Sequence, residues 1–300
     1  MKKSVPASIV TPGHPDQPLL SALTGEITAR AGGAEVLASR FGVMLRTCID
    51  DVIMTPKTGR RAFEELEKTE KTYIGTRVEI ELRAILGVPK GRLDTRILGR
   101  DVDIKNTMGN NWMIPTEAVD HPCILVAADE ARALCYLGLI VARPDYLTRG
   151  QNKDAKRSIS AEGFRHIHWL LREHPYPANF WRGVAAEKVA RIFEGKTGNH
   201  RMAVLFREVQ GQPISRDVIE AVAQQQDFMR RIRSDGGRGA RDLLAREGIL
   251  LLSGQYDAKL IRALGLTETD ARSFISYRAE RDEELALAAR HGMQLEPGFF

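Results

Sequence analysis

Asp94 and the run Asp101-Val102-Asp103-Ile104-Lys105 place three acids and an amine at a spacing suited to strands. Side chains alternate faces along a strand, so Val102 and Ile104 turn one way and Asp103 and Lys105 the other. Leu93–Leu98 and Asp101–Lys105 read as two short strands joined by a tight turn. If the turn is Leu98-Gly99, facing residue numbers sum to 197 and Asp94 lies across from Asp103. If it is Gly99-Arg100, the sum is 199 and Asp94 faces Lys105. Either register gathers two carboxylates and one amine within about 5–8 Å at Cβ. Hard oxygen ligands of this kind suit Mg²⁺. A neighbouring lysine can orient an attacking water and balance developing negative charge, so the set points to phosphodiester hydrolysis. Glu79, between apolar Val78 and Ile80 on the preceding helical segment, is the candidate third carboxylate.

The elements that must hold these residues are legible in outline. Helical periodicity runs from Ala34 to Met54, breaks at Thr58-Gly59-Arg60-Arg61, and resumes from Ala62 to Leu86, ending at Gly87 before Pro89. Cys123–Ala128 and Cys135–Ala142 are continuous apolar runs, as expected of buried central strands. Helices are expected over Ala161–Arg172 and Val184–Phe193, and residues 1–18 read as a loose arm. His166 and His168 would diverge on such a helix, which argues against a metal site there. Lys68 and Lys71 are candidates to line a polyanion cleft, as are Asn110 and Asn111 beside Trp112.

Gly195-Lys196-Thr197-Gly198-Asn199 reads as a linker, which divides the chain into residues 1–194 and 195–300. Beyond it, Met202–Val209, Asp217–Val222 and Asp227–Arg233 read as helices, with Ser215 as an N-cap. A glycine-rich loop and an apolar strand at Ile249–Leu252 follow, the order of a helix-turn-helix with a wing. Gln224, Gln225, Arg230, Arg231, Arg233 and Arg238 are the candidate DNA contacts. The tail, Glu268–Arg290, reads as one charged helix that could serve dimerisation.

The bulk composition is permissive. The chain has 300 residues, 44 basic against 39 acidic, a mild excess compatible with a polyanionic partner. Three cysteines, Cys48, Cys123 and Cys135, form no CxxC pair and read as free thiols. No apolar run is long enough to span a bilayer and no leader-like segment opens the chain, so a cytoplasmic location is expected.

Longer blocks are more specific than spacing. Lys68-Thr69-Glu70-Lys71-Thr72, Gly75-Thr76, Val78-Glu79-Ile80 and Leu82 closely resemble a segment of the NaeI restriction endonuclease family. So do Val102-Asp103-Ile104-Lys105, Trp112-Met113-Ile114-Pro115 with Glu117, and, further on, Val222-Ala223-Gln224-Gln225, Asp227-Phe228-Met229, Gly236-Gly237 and Glu247-Gly248-Ile249. The similarity runs over residues 43–255 and is expected to lapse before about residue 40 and after Ser253. The resemblance implies an α/β (α+β) chain: a mixed-sheet PD-(D/E)xK nuclease domain followed by a CAP-like winged-helix domain. It places the catalytic set on Glu79, Asp94, Asp103 and Lys105, the three acids being the metal ligands. It further implies a Mg²⁺-dependent homodimer that cuts both strands of unmethylated duplex DNA, binds a second DNA copy as effector, and is paired with a DNA methyltransferase. A nicking or repair endonuclease of the same fold, or a DNA-binding regulator with an inactive nuclease domain, are the alternatives.

Overall fold

The computed structural model describes residues 5–224, 229, 232 and 237–293. The chain forms two compact units. One comprises the chain up to Ile53 with Ala62–Asn179, the other Met54–Arg61 with Phe180 onward.

The first unit is built on a five-stranded mixed sheet. Its helices are α1 (Gln17–Ala31), α2 (Ala34–Ile53) and α4 (Lys68–Leu86), while α3 (Thr55–Thr58) belongs to the second unit. Its strands are β1 (Thr95–Ile97), β2 (Arg100–Thr107), β3 (Met113–Ile114), β4 (Pro122–Asp129), β5 (Leu134–Val141), β6 (Leu147–Gln151), β7 (Arg157–Ile159) and β8 (His168–Pro175). The main sheet has the order β1-β2-β4-β5-β8, parallel at β2–β4 and antiparallel elsewhere. Along β4, Ile124 and Val126 join the core under α1, α2 and α4, while Cys123, Leu125 and Ala127 join a second core against the small β3-β7-β6 sheet. Burial on both faces is why β4 and β5 read as unbroken apolar runs.

The helix spacing follows from the same core. On α4, Ile74, Val78, Leu82 and Leu86 are buried at four-residue intervals. Glu67 and Glu70 form a capping box at its start, and Gly87, at φ +58°, ends it. Burying each such side chain contributes roughly 1.5–3 kcal/mol, so this one stripe is enough to seat α4 on the sheet.

Several expectations are corrected. Residues 161–172 are not a helix: Gly163–His166 is a single 3-10 turn, and β8 follows it as a strand. Pairing with β5 overrides local helical preference here. Gly138 makes room for the pairing, since a Cβ there would lie 2.6 Å from Ile167 and 2.9 Å from the Trp169 ring. The N-terminal arm is packed rather than loose. Val5 and Val10 are buried, and the Ile9 N–H donates to the Arg165 carbonyl at 2.8 Å. Asp16 is buried against Arg143 and Tyr146. Helix α1, which carries Leu20, Leu23 and Ile27 into the core, was not foreseen.

The second unit contains α5 (Ala186–Phe193), α6 (Gly198–Glu208), β9 (Ile214–Ser215), α7 (Arg216–Ala223), α8 (Ala240–Ala245), β10 (Ile249–Ser253), α9 (Ala258–Ala263), β11 (Ser273–Arg278) and α10 (Asp282–Arg290). Its sheet has the order β10-β11-β9. Ile249, Leu251 and Phe274 face the core of α5–α8, and Leu250, Leu252 and Ile275 face that of α9 and α10. The supposed linker at 195–199 is structural: Thr197 caps α6, and the Gly195 carbonyl accepts from the buried Arg201 guanidinium at 2.9 Å. Val189 and Ile192 of α5 lie in the same core as Met202 and Leu205 of α6, so the compact unit starts before residue 195. The tail is not one helix, because Ser273–Arg278 is drawn into the sheet between β10 and β9. No described helix is long and apolar enough to cross a membrane.

Candidate active site

The β1–β2 hairpin sets the geometry. Thr95 pairs with Val102 and Ile97 with Arg100, so facing numbers sum to 197. Leu98 and Gly99 form the turn, with φ of +50° and +75°. Positive φ at both central residues matches the turn twist that two-residue hairpins favour. Of the two registers open to the sequence, this is the one that brings Asp94 opposite Asp103.

Lys105 ties the pair together. Its Nζ donates to Asp103 Oδ1 at 2.9 Å, to Asp94 Oδ2 at 3.3 Å and to the Ile104 carbonyl at 3.1 Å. The Ile104 N–H donates to Asp94 Oδ2 at 2.8 Å. Val102 and Ile104 point into the helix-side core, as alternation requires, and put Asp103 and Lys105 on the opposite face. The Asp103 side chain is 4% exposed, those of Asp94 and Lys105 about a quarter or less.

These surroundings split the two aspartates. Burial, reinforced by a hydrogen bond shared with Asp94, pushes Asp103 up to about 7 against the pull of Lys105. Burial also acts to raise Asp94, but hydrogen bonds from Asp103, the Ile104 N–H and Lys105 outweigh it and hold Asp94 below the usual carboxylate range. Burial acts to lower Lys105, and the two aspartates reverse it. The metal-free cluster therefore holds an ammonium, an ionised Asp94 and a proton on Asp103 at and below neutral pH.

Glu79 sits on α4 one turn beyond Gly75, whose added Cβ would lie 3.9 Å from Asn106 of β2. Burial raises its carboxyl, and the charge of Asp94 adds to that, while Lys105, Arg83 and Lys90 oppose it. It thus lies within the electrostatic reach of the cluster. Among the described residues, no three His, Cys, Asp or Glu side chains are gathered tightly enough to hold a metal ion. Glu79 is itself half-buried, and its neighbour Ile80 is 46% exposed.

The donor set nonetheless fits a hard divalent cation. Asp103 Oδ2 is buried and receives no hydrogen bond. A buried carboxylate oxygen without a donor is costly unless a proton or a cation takes it. Asp94, Asp103 and the Ile104 carbonyl offer oxygen ligands of the type Mg²⁺ prefers.

Other predicted residues fall in varied places. Lys68 is exposed at the start of α4. Lys71 donates to the Glu64 carbonyl and lies 5.0 Å from the centre of the Phe63 ring. Asn110 is exposed, whereas the Asn111 amide is engaged in holding Trp112 and Ile159. Trp112 itself is buried and donates to the Val126 carbonyl. Gln224 is exposed at the end of α7, and Arg238 is exposed with its carbonyl bound by Asn199. Gln225, Arg230, Arg231 and Arg233 lie outside the described residues. One contributor was missed: Arg83, four residues after Glu79 on α4, donates to the Asp94 carbonyl at 2.8 Å. Its one-turn spacing from Glu79 was the available signal.

A family model described as restriction endonuclease NaeI matches residues 34–289. The chain belongs to the NaeI restriction endonuclease family. With it, the protein joins the type II site-specific deoxyribonucleases. The type II restriction enzyme NaeI of Lentzea aerocolonigenes is 36% identical over 237 residues, covering 76% of this chain and 74% of that one. The NaeI match runs well past Ser253, where similarity was expected to lapse, and includes Glu79, Asp94, Asp103 and Lys105.

Proposed function

We propose that the protein makes site-specific double-strand breaks in unmethylated duplex DNA by Mg²⁺-dependent hydrolysis at Asp94, Asp103 and Lys105, with Glu79 as a flanking carboxylate. The observation that carries this reading is the Lys105 ammonium bridging the two aspartates beside the unpaired Asp103 Oδ2. Asp94, Asp103 and the Ile104 carbonyl would hold the cation. When bound, a divalent cation polarises the phosphate and lowers the pKa of an attached water. Lys105 orients the attacking water and offsets charge building on the phosphate. Arg83 holds the Asp94 backbone in place from α4. Glu79, raised by burial, can accept or return a proton at the rim of the cluster.

The family resemblance supports the wider reading. The protein acts as a cytoplasmic homodimer alongside a methyltransferase that protects the host sites. Its second unit works as a winged-helix-like domain that takes another DNA copy as effector through Gln224, Gln225, Arg230, Arg231, Arg233 and Arg238.

Unmethylated plasmid incubated with Mg²⁺ tests the reading. Discrete linear fragments are expected, and Lys105→Met should abolish them while DNA binding persists. Cleavage under no divalent cation would overturn the proposal, as would nicked circles as the final product. Added duplex carrying the cleaved site should accelerate cutting, and Arg230→Ala with Arg231→Ala should remove that acceleration. Undiminished acceleration would move the effector site elsewhere.

A further inference from the structure

We propose that Arg92, oriented by His121, forms a phosphate clamp beside the catalytic cluster, gripping the backbone phosphate next to the scissile one. The proposal rests on the endonuclease reading above and adds a positioning pair to it.

The loop before Asp94 is held firmly. The Arg92 N–H donates to Asp101 Oδ1 at 2.7 Å. The Thr95 hydroxyl and the Arg96 N–H both donate to the Pro89 carbonyl, at 3.0 and 3.1 Å. Gly91 admits no side chain, because a Cβ would stand 2.5 Å from Asp101 Oδ1 and 2.5 Å from the Thr95 carbonyl. The main chain of Arg92 is therefore fixed over Asp101.

Its guanidinium projects into an exposed position, with Nη2 3.4 Å from His121 Nε2. Guanidinium has donors only, so in this contact Nε2 is the acceptor and the imidazole proton is assigned to Nδ1. Among the described residues no carboxylate lies within ion-pair distance of either group. With one N–H turned to the His121 imidazole and no ion pair to an acid, the guanidinium keeps its remaining donors for an anion, and His121 fixes its orientation.

The position suits DNA. Asp103 pairs with Cys123 in the parallel β2–β4 register, so His121 is level with Asp101. Asp101, Asp103 and Lys105 share one strand face. The clamp thus lies two residues along from Asp103, about 7 Å. That step is comparable to the separation of successive phosphates on one DNA strand.

The test is fluorescence anisotropy with a short labelled duplex spanning the mapped cut site and with a scrambled duplex, in Ca²⁺, over a salt series. Arg92→Gln keeps the main-chain bond to Asp101 and is expected to weaken binding of both duplexes about tenfold. It should also reduce the slope of log affinity against log salt by about 1. His121→Gln should weaken both in the same direction, and Arg92→Lys should restore the slope. Wild-type binding and slope in Arg92→Gln would overturn the clamp. So would a lowered melting temperature with an unchanged slope, since the pair would then only pin the loop. Wild-type plasmid cleavage is scored in parallel. Intact wild-type cleavage with a failed clamp leaves the endonuclease reading standing, whereas absent wild-type cleavage removes that reading.

Discussion

Asp103 should make the metal-free protein less stable as pH rises through neutrality. Its carboxyl is held at about 7 by burial and by the bond to Asp94, against an ordinary value of 3.8. The folded state therefore keeps a proton between about pH 4 and pH 7 that the unfolded chain has released. Stability is greatest below this window and falls across it. At 1.36 kcal/mol per pH unit, a shift from 3.8 to about 7 corresponds to about 4 kcal/mol as a ceiling, of which about 3 kcal/mol lies above pH 5. Asp50, raised to about 6, adds a loss of the same sign, while His166 and His168, lowered by burial, act in the opposite direction. The quantity to measure is therefore a difference. Urea unfolding in EDTA would be followed by tryptophan fluorescence between about pH 5 and pH 8. Trp181 would be replaced by Phe, so that Trp112 and Trp169 report on the first unit alone. Asp103→Asn cannot titrate and should lack the Asp103 component, so its advantage over the parent should grow by about 2–3 kcal/mol across this range. Parallel pH profiles for the two proteins would refute the argument. Mg²⁺ should bind more tightly as pH rises over the same interval, because the proton on Asp103 competes for the oxygen a cation needs.

Two further changes probe the supports. Gly91→Ala forces a methyl against the Asp101 carboxylate and the Thr95 carbonyl, and should cost about 1–3 kcal/mol in urea unfolding and depress plasmid cleavage. Wild-type stability and activity would show that the loop before Asp94 yields easily. Arg46→Met removes the ion pair to Glu130, whose side chain is 6% exposed, and should cost about 3–5 kcal/mol. Adding Glu130→Gln should recover part of that loss, and additive costs would mean the two residues are not coupled.

How much of this was legible beforehand differs by element. Helices α2 and α4 and strands β4 and β5 could be read because their burial is written as period and as continuous apolarity. Strand β8 could not, because Trp169 and Leu171 become strand residues only through pairing with β5 beside the bare backbone of Gly138. Strand β11 and the packed N-terminal arm failed for the same reason: their partners are remote in sequence. Arg83 meets the Asp94 carbonyl, and His121 meets Arg92, through the fold; only the spacing of Arg83 from Glu79 hinted at either.

For the site itself, the sequence alone nominated the residues proposed to carry the chemistry. The alternation of β2 forces Asp103 and Lys105 to one face, and a short hairpin must return Asp94 beside them. It left two registers open and could not rank the carboxylates. Tertiary structure decided both. Positive φ at Leu98 and Gly99 selected the register that sets Asp94 against Asp103. Burial then placed the proton on Asp103 and the negative charge on Asp94, because ionisation depends on solvent exclusion and on donors that only the folded chain assembles.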